Sequence, residues 1–152
     1  MTTSSYHFVI VCLLVLAVIQ IPIDLRKNQL SRSASLSALL FISIVVTVDA
    51  AMSGSFRNLL VSIMSATFLF GLYLMTHRRV PDALGFGDVV LVFPLGLSIA
   101  YFAIDRIGIW QLTSAITGGI HAVLARTVAR RNSIPFGPHL LLSALAVLIV
   151  SV

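Results

Sequence analysis

Six apolar stretches partition this 152-residue chain, each near the roughly 17 to 25 residues that cross a bilayer as a helix. They run from about Phe8 to Ile23, Ser33 to Val48, Leu59 to Met75, Leu84 to Ile104, Ile107 to Ala125 and Ile134 to Val152. The fifth is the least regular, because it carries Gln111, His121 and the Gly118-Gly119 pair, and the last opens with Pro135, Gly137 and Pro138. Hydrophobic residues make up 59% of the chain and charged ones 10%, against about 25% charged in an ordinary soluble domain. So much apolar surface does not fit inside one small soluble core. The pattern predicts an all-α, polytopic membrane protein with about six transmembrane helices, forming a single membrane-embedded domain over residues 1–152. No internal repeat, low-complexity tract or linker divides it.

The charge balance sets orientation more than partnership. A net charge of +5 is compatible with nucleic-acid binding, but the basic residues punctuate the apolar runs and form no patch. Arg26, Lys27 and Arg32 fall between the first two runs, Arg78 and Arg79 between the third and fourth, and Arg126, Arg130 and Arg131 between the last two. Only Arg57 and Arg106 lie in the alternate loops. By the positive-inside rule the basic loops are cytoplasmic and both termini extracytoplasmic. The expected partner is therefore a lipid bilayer and not nucleic acid.

Other residue types narrow the chemistry. The single cysteine, Cys12, lies inside the first apolar run and reads as a small apolar filler, with neither an internal disulfide nor a thiolate zinc cluster open to it. His77, His121 and His139 occupy different segments without ligand spacing, so no metal site is expected. The first run lacks a basic n-region and a small-residue cleavage site, and does not read as a signal peptide.

Acidic residues are informative because they are few. Asp24 closes the first run in Ile21-Pro22-Ile23-Asp24-Leu25-Arg26-Lys27, and Asp88 opens the fourth in Gly85-Phe86-Gly87-Asp88-Val89. Both map to the cytoplasmic rim, whereas Asp49 and Asp105 map to the far side. Asp82 is a third cytoplasmic acid, read as a solvated loop residue. Carboxylates at the edge of hydrocarbon are expensive and default to a functional reading. Two of them close together share one proton, which suits acid–base hydrolysis of a peptide bond. Asp24 faces the negative end of its helix and Asp88 the positive end of its own, which assigns Asp24 as the acid and Asp88 as the base. The competing readings are an interfacial Asp24 paired with Arg26 or Lys27, and a capping Asp88 in a Gly-rich turn. Gly85 and Gly87 beside Asp88 suggest close backbone approach or an unusual φ. Pro22 either bends the first helix to aim Asp24 or marks an ordinary span end.

Taken together, these segments resemble the type IV prepilin peptidases, a family of GxGD-type intramembrane aspartic proteases. Gly85-Phe86-Gly87-Asp88 resembles the GxGD motif, Asp24-Leu25-Arg26 the family's first-aspartate segment, and Ile134-Pro135-Phe136-Gly137-Pro138 the opening of its last span. The resemblance implies catalysis by Asp24 and Asp88 without a cofactor, with Gly85, Gly87, Pro135, Gly137 and Pro138 as supporting motif residues. It further implies a prepilin-like substrate with a basic leader and an apolar helix, cut at the cytoplasmic membrane face for pilus assembly or protein secretion. Ser31-Arg32 stands where Pro-Asn is common in the family, and Val90 where a lysine often follows the motif. The absence of paired cysteines matches the short, peptidase-only members. Two rivals stay open: a catalytically inactive relative kept as a scaffold, and a small proton-coupled transporter.

Overall fold

The computed structural model describes residues 3–27, 32–79, 84–127 and 136–150. Within them the chain forms six α-helices: α1 (Thr3–Lys27), α2 (Arg32–Ser53), α3 (Phe56–Arg79), α4 (Phe86–Phe102), α5 (Ile107–Thr127) and α6 (Gly137–Val150). A 3₁₀ turn at Ile104–Arg106 separates α4 from α5, and no strand occurs among the described residues. The all-α expectation therefore holds. By length and composition, α1, α2, α3 and the segment Ile104–Leu124 can each cross a membrane. The other two are shorter: α4 has 17 residues and α6 has 14. At 1.5 Å per residue they reach about 25 and 21 Å, short of the roughly 30 Å hydrocarbon core.

Burial explains how a short helix fits such a bundle. From Val89 to Tyr101 almost every residue of α4 is buried, including Leu91, Val92, Leu95 and Ile99. A helix apolar on all sides belongs inside a protein or in lipid, and this one is enclosed by α2, α3 and α6. α1 packs on α2 and α6, and α5 chiefly on α6. The outer helices turn apolar residues outward instead: Val18 is 74% exposed, Met64 72% and Phe68 66%. Such a surface is costly in water and suited to lipid. α3 packs closely on α4 at Gly96, where a Cβ would stand 3.3 Å from Leu69 Cδ1 and 3.5 Å from the Ala66 Cα. The tight α2–α3 connection turns on Gly54, at φ +70°, which a side chain would strain.

Polar contacts identify the two ends of the bundle. At one end the Tyr101 hydroxyl of α4 donates to Asp49 Oδ2 of α2 at 2.8 Å, with both residues buried. There the Tyr6 hydroxyl of α1 donates to the Leu148 carbonyl of α6, and the Tyr6 ring meets Phe102 edge-on at 5.2 Å. The start of α1 thus lies with the ends of α2, α4 and α6. At the other end Gln20 Nε2 of α1 donates to Ser35 Oγ of α2 at 2.9 Å. His77 Nδ1, near the end of α3, lies 2.7 Å from the Leu84 carbonyl ahead of α4.

The Tyr101–Asp49 bond is the buried polar link between α4 and α2. Replacing Tyr101 by Phe removes one partner of a buried carboxylate, at a cost of about 1–3 kcal/mol. Thermal unfolding of the detergent-solubilised Tyr101→Phe protein should show a lowered midpoint with helix content retained.

Candidate functional site

Asp88 is the third residue of α4, following Gly85 as the N-cap. The Asp88 N–H donates to the Gly85 carbonyl at 3.1 Å, and the Gly85 N–H donates back to Asp88 Oδ2 at 3.2 Å. This reciprocal pair satisfies two of the backbone and side-chain groups left open at a helix start. It also holds one carboxylate oxygen in place. The other, Oδ1, is buried and has no hydrogen-bond partner. Asp88 as a whole is 4% exposed.

Asp24 lies in the last turn of α1 and is 3% exposed, with Oδ2 buried and without a partner among the described residues. The two carboxylates occupy the same end of the bundle, with Asp24 inside the Coulombic range of Asp88. Their helices are not close neighbours, since α1 leans on α2 and α6 while α4 sits among α2, α3 and α6. Placement of Asp24 near a helix end and Asp88 at a helix start is as the sequence implies. The alternative pairing of Asp24 with Arg26 or Lys27 involves side chains outside the described residues.

The flanking glycines act differently from the expectation. Gly85 has φ −67° and ψ 146°, a conformation open to any residue, and Gly54 is the only described glycine with positive φ. No unusual φ is needed at the motif. Nor is space the reason, because a Cβ at Gly85 would stand at ordinary van der Waals contact, 3.4 Å from Asp88 Oδ2. Gly87 is half-buried in the first turn of α4. Gly137 and Pro138 are the first two residues of α6 and are buried. Pro138, lacking an N–H, suits a position where that donor has no intrahelical partner. Pro135, Asp82 and Ser31 lie outside the described residues.

A second polar group near Asp88 was not assigned a role from sequence. Tyr73 of α3 is half-buried and within Coulombic range of Asp88. Its hydroxyl donates to Gln111 Oε1 of α5 at 2.8 Å and also engages Ser114. The Gln111 Nε2 is buried without a partner. Gln111 stands out in the sequence as an amide inside an apolar run. Tyr73 does not, since an aromatic in such a run reads as packing.

Histidines also meet unexpectedly. His121 Nδ1 of α5 lies 2.8 Å from His139 Nε2 of α6, so segments far apart in sequence present one imidazole pair. Beside it Gly118 accommodates Phe136, whose ring would lie 2.3 Å from a Cβ at that position. No group of three or more His, Cys, Asp or Glu forms a metal cluster among the described residues.

In comparisons with protein-family models, with curated proteins and with solved structures, nothing matches the chain.

The convergence of the two aspartates is directly testable. With Cys12→Ser removing the native thiol, the Asp24→Cys/Asp88→Cys double variant should be joined by a short bifunctional thiol reagent. The Asp24→Cys/Asp49→Cys control, spanning opposite ends of the bundle, should not react. Equal yields for the two pairs would contradict the placement of Asp24 and Asp88 at one end.

Proposed function

We propose that this protein is an intramembrane aspartic endopeptidase of the prepilin-peptidase type, with Asp24 and Asp88 as its catalytic pair. One observation carries the reading: two buried carboxylates stand on different helices at one end of an apolar bundle, each with an oxygen that has no partner among the described residues. Leaving such atoms unpaired costs about 1–3 kcal/mol each, and natural proteins accept that cost mainly at working sites. The GxGD-like motif at Gly85 to Asp88 supports the same assignment.

The chemistry follows from one proton shared between the two acids. A water held between them loses a proton to the ionised carboxylate, which is Asp88 in this proposal, and its oxygen bonds to the scissile carbonyl carbon. Asp24, protonated, donates to the carbonyl oxygen. When the tetrahedral species collapses, Asp88 gives its proton to the leaving nitrogen, the C–N bond breaks, and one hydroxyl of the former diol returns its proton to Asp24. The products are a carboxyl and a free amine, and the two acids again hold one proton. No metal or cofactor enters this sequence.

The substrate class follows from the position of the pair and from the resemblance. A carboxylate pair at the cytoplasmic rim suits a chain whose basic leader stays in the cytoplasm and whose apolar helix enters the bilayer. A prepilin-like protein has that design. The protein would then be a multi-pass component of the plasma membrane with both termini extracytoplasmic, serving pilus assembly or secretion.

Co-expression with candidate prepilins, followed by mass measurement of the pilin, tests this. Leader removal should occur with the wild type and fall by about 10²- to 10⁴-fold, or below detection, for Asp24→Asn and for Asp88→Asn. Cleavage that survives either substitution would falsify the two-aspartate mechanism. Intact leaders across a panel of prepilins, with the wild type well folded, would favour a scaffold or a transporter.

A further inference from the structure

A peptide cannot be cut while it is helical, because the scissile amide must be reached from the side. The substrate segment therefore unwinds at the site, and each unwound residue exposes a carbonyl and an N–H that had been paired. In an apolar setting every such group left unsatisfied costs several kcal/mol, by order of magnitude. A protease embedded in lipid must offer donors and acceptors for more of the substrate than the bond it breaks.

Among the described residues three buried side-chain atoms have no hydrogen-bond partner: Asp24 Oδ2, Asp88 Oδ1 and Gln111 Nε2. Two belong to the proposed catalytic pair. The third is tied to that pair through Tyr73, which lies within the field of Asp88 and donates its hydroxyl proton to Gln111 Oε1 at 2.8 Å. This bond engages the oxygen end of the amide. Its oxygen is occupied by the tyrosine, so its nitrogen, a donor of two protons, is left over. Ser114, one turn along α5, bonds back to the carbonyls of Trp110 and Gln111 at 2.9 and 3.0 Å. Carboxylates supply acceptors and, when protonated, a single donor. An amide nitrogen supplies what they lack.

We propose that the Gln111 side-chain amide binds a backbone carbonyl of the unwound substrate next to the scissile bond, with Tyr73 holding it in orientation. The assignment rests on the peptidase reading above. Gln111 is in this sense a substrate-binding residue and Tyr73 a positioning residue. Neither exchanges a proton with the reacting atoms. The bond exists in both the bound substrate and the transition state, so its loss should appear in KM and leave kcat nearly unchanged.

The test is steady-state cleavage of a purified prepilin by the full-length protein in detergent or liposomes, using Gln111→Leu, Gln111→Glu and Tyr73→Phe. Gln111→Leu should raise KM about tenfold, the equivalent of one hydrogen bond of about 1.4 kcal/mol. Gln111→Glu, which keeps the shape and replaces the donor by an acceptor, should raise it at least as much. Tyr73→Phe should give a smaller rise. Binding of the uncut prepilin to an Asp88→Asn background should weaken in parallel when Gln111→Leu is added. If Gln111→Leu fails to fold, Gln111→Glu and Tyr73→Phe carry the same comparison. Unchanged KM in folded Gln111 variants, alongside active wild type, overturns this inference alone. A wild type that cuts no prepilin overturns the peptidase reading and this inference with it.

Discussion

A carboxylate inside an apolar bundle is tolerable only if its surroundings are built for it, and α4 is where this protein meets that demand. The helix is apolar on every side, and α2, α3 and α6 enclose it. Asp88 enters the interior through the first turn of this same helix, where open backbone donors soften the cost of negative charge. Had Asp88 stood a few residues later, neither the Gly85 N–H nor the helix start would have been in reach. Covering α4 and burying Asp88 are thus one arrangement, and α1 completes it by bringing Asp24 to the same end.

The far end of the bundle offers an internal comparison. Asp49 is as deeply buried as Asp88, yet its Oδ2 accepts the Tyr101 hydroxyl at 2.8 Å. That carboxylate is spent on joining α2 to α4. The same residue type serves as a structural tie at one end and carries an open oxygen at the other. What distinguishes them is the supply of donors, and depth of burial alone would not have told them apart.

Much of this was legible in the sequence because hydrophobic length and charge punctuation are coarse signals that tertiary packing does not overturn. The six apolar runs became six helices, and Asp24 and Asp88 fell at matching ends because each stands at the boundary of its run. Packing choices were less visible. That α4 would be the enclosed helix, and be only 17 residues long, depends on how the others wrap it. Gly85 looked like a residue chosen for conformational freedom, but its backbone is ordinary and a Cβ there would meet only ordinary van der Waals contact. Tyr73, Gln111 and the His121–His139 pair come from segments whose adjacency is decided across the bundle, which single-run patterns do not encode.

The bond from Gly85 to Asp88 Oδ2 has one more consequence. It occupies one carboxylate oxygen and favours the rotamer that leaves Oδ1 as the open edge. That edge has a set direction relative to the helix that bears it. An extended chain lying against that edge would meet it differently when threaded from the opposite direction. On the peptidase reading, a preference for one chain direction would then originate in a single backbone amide.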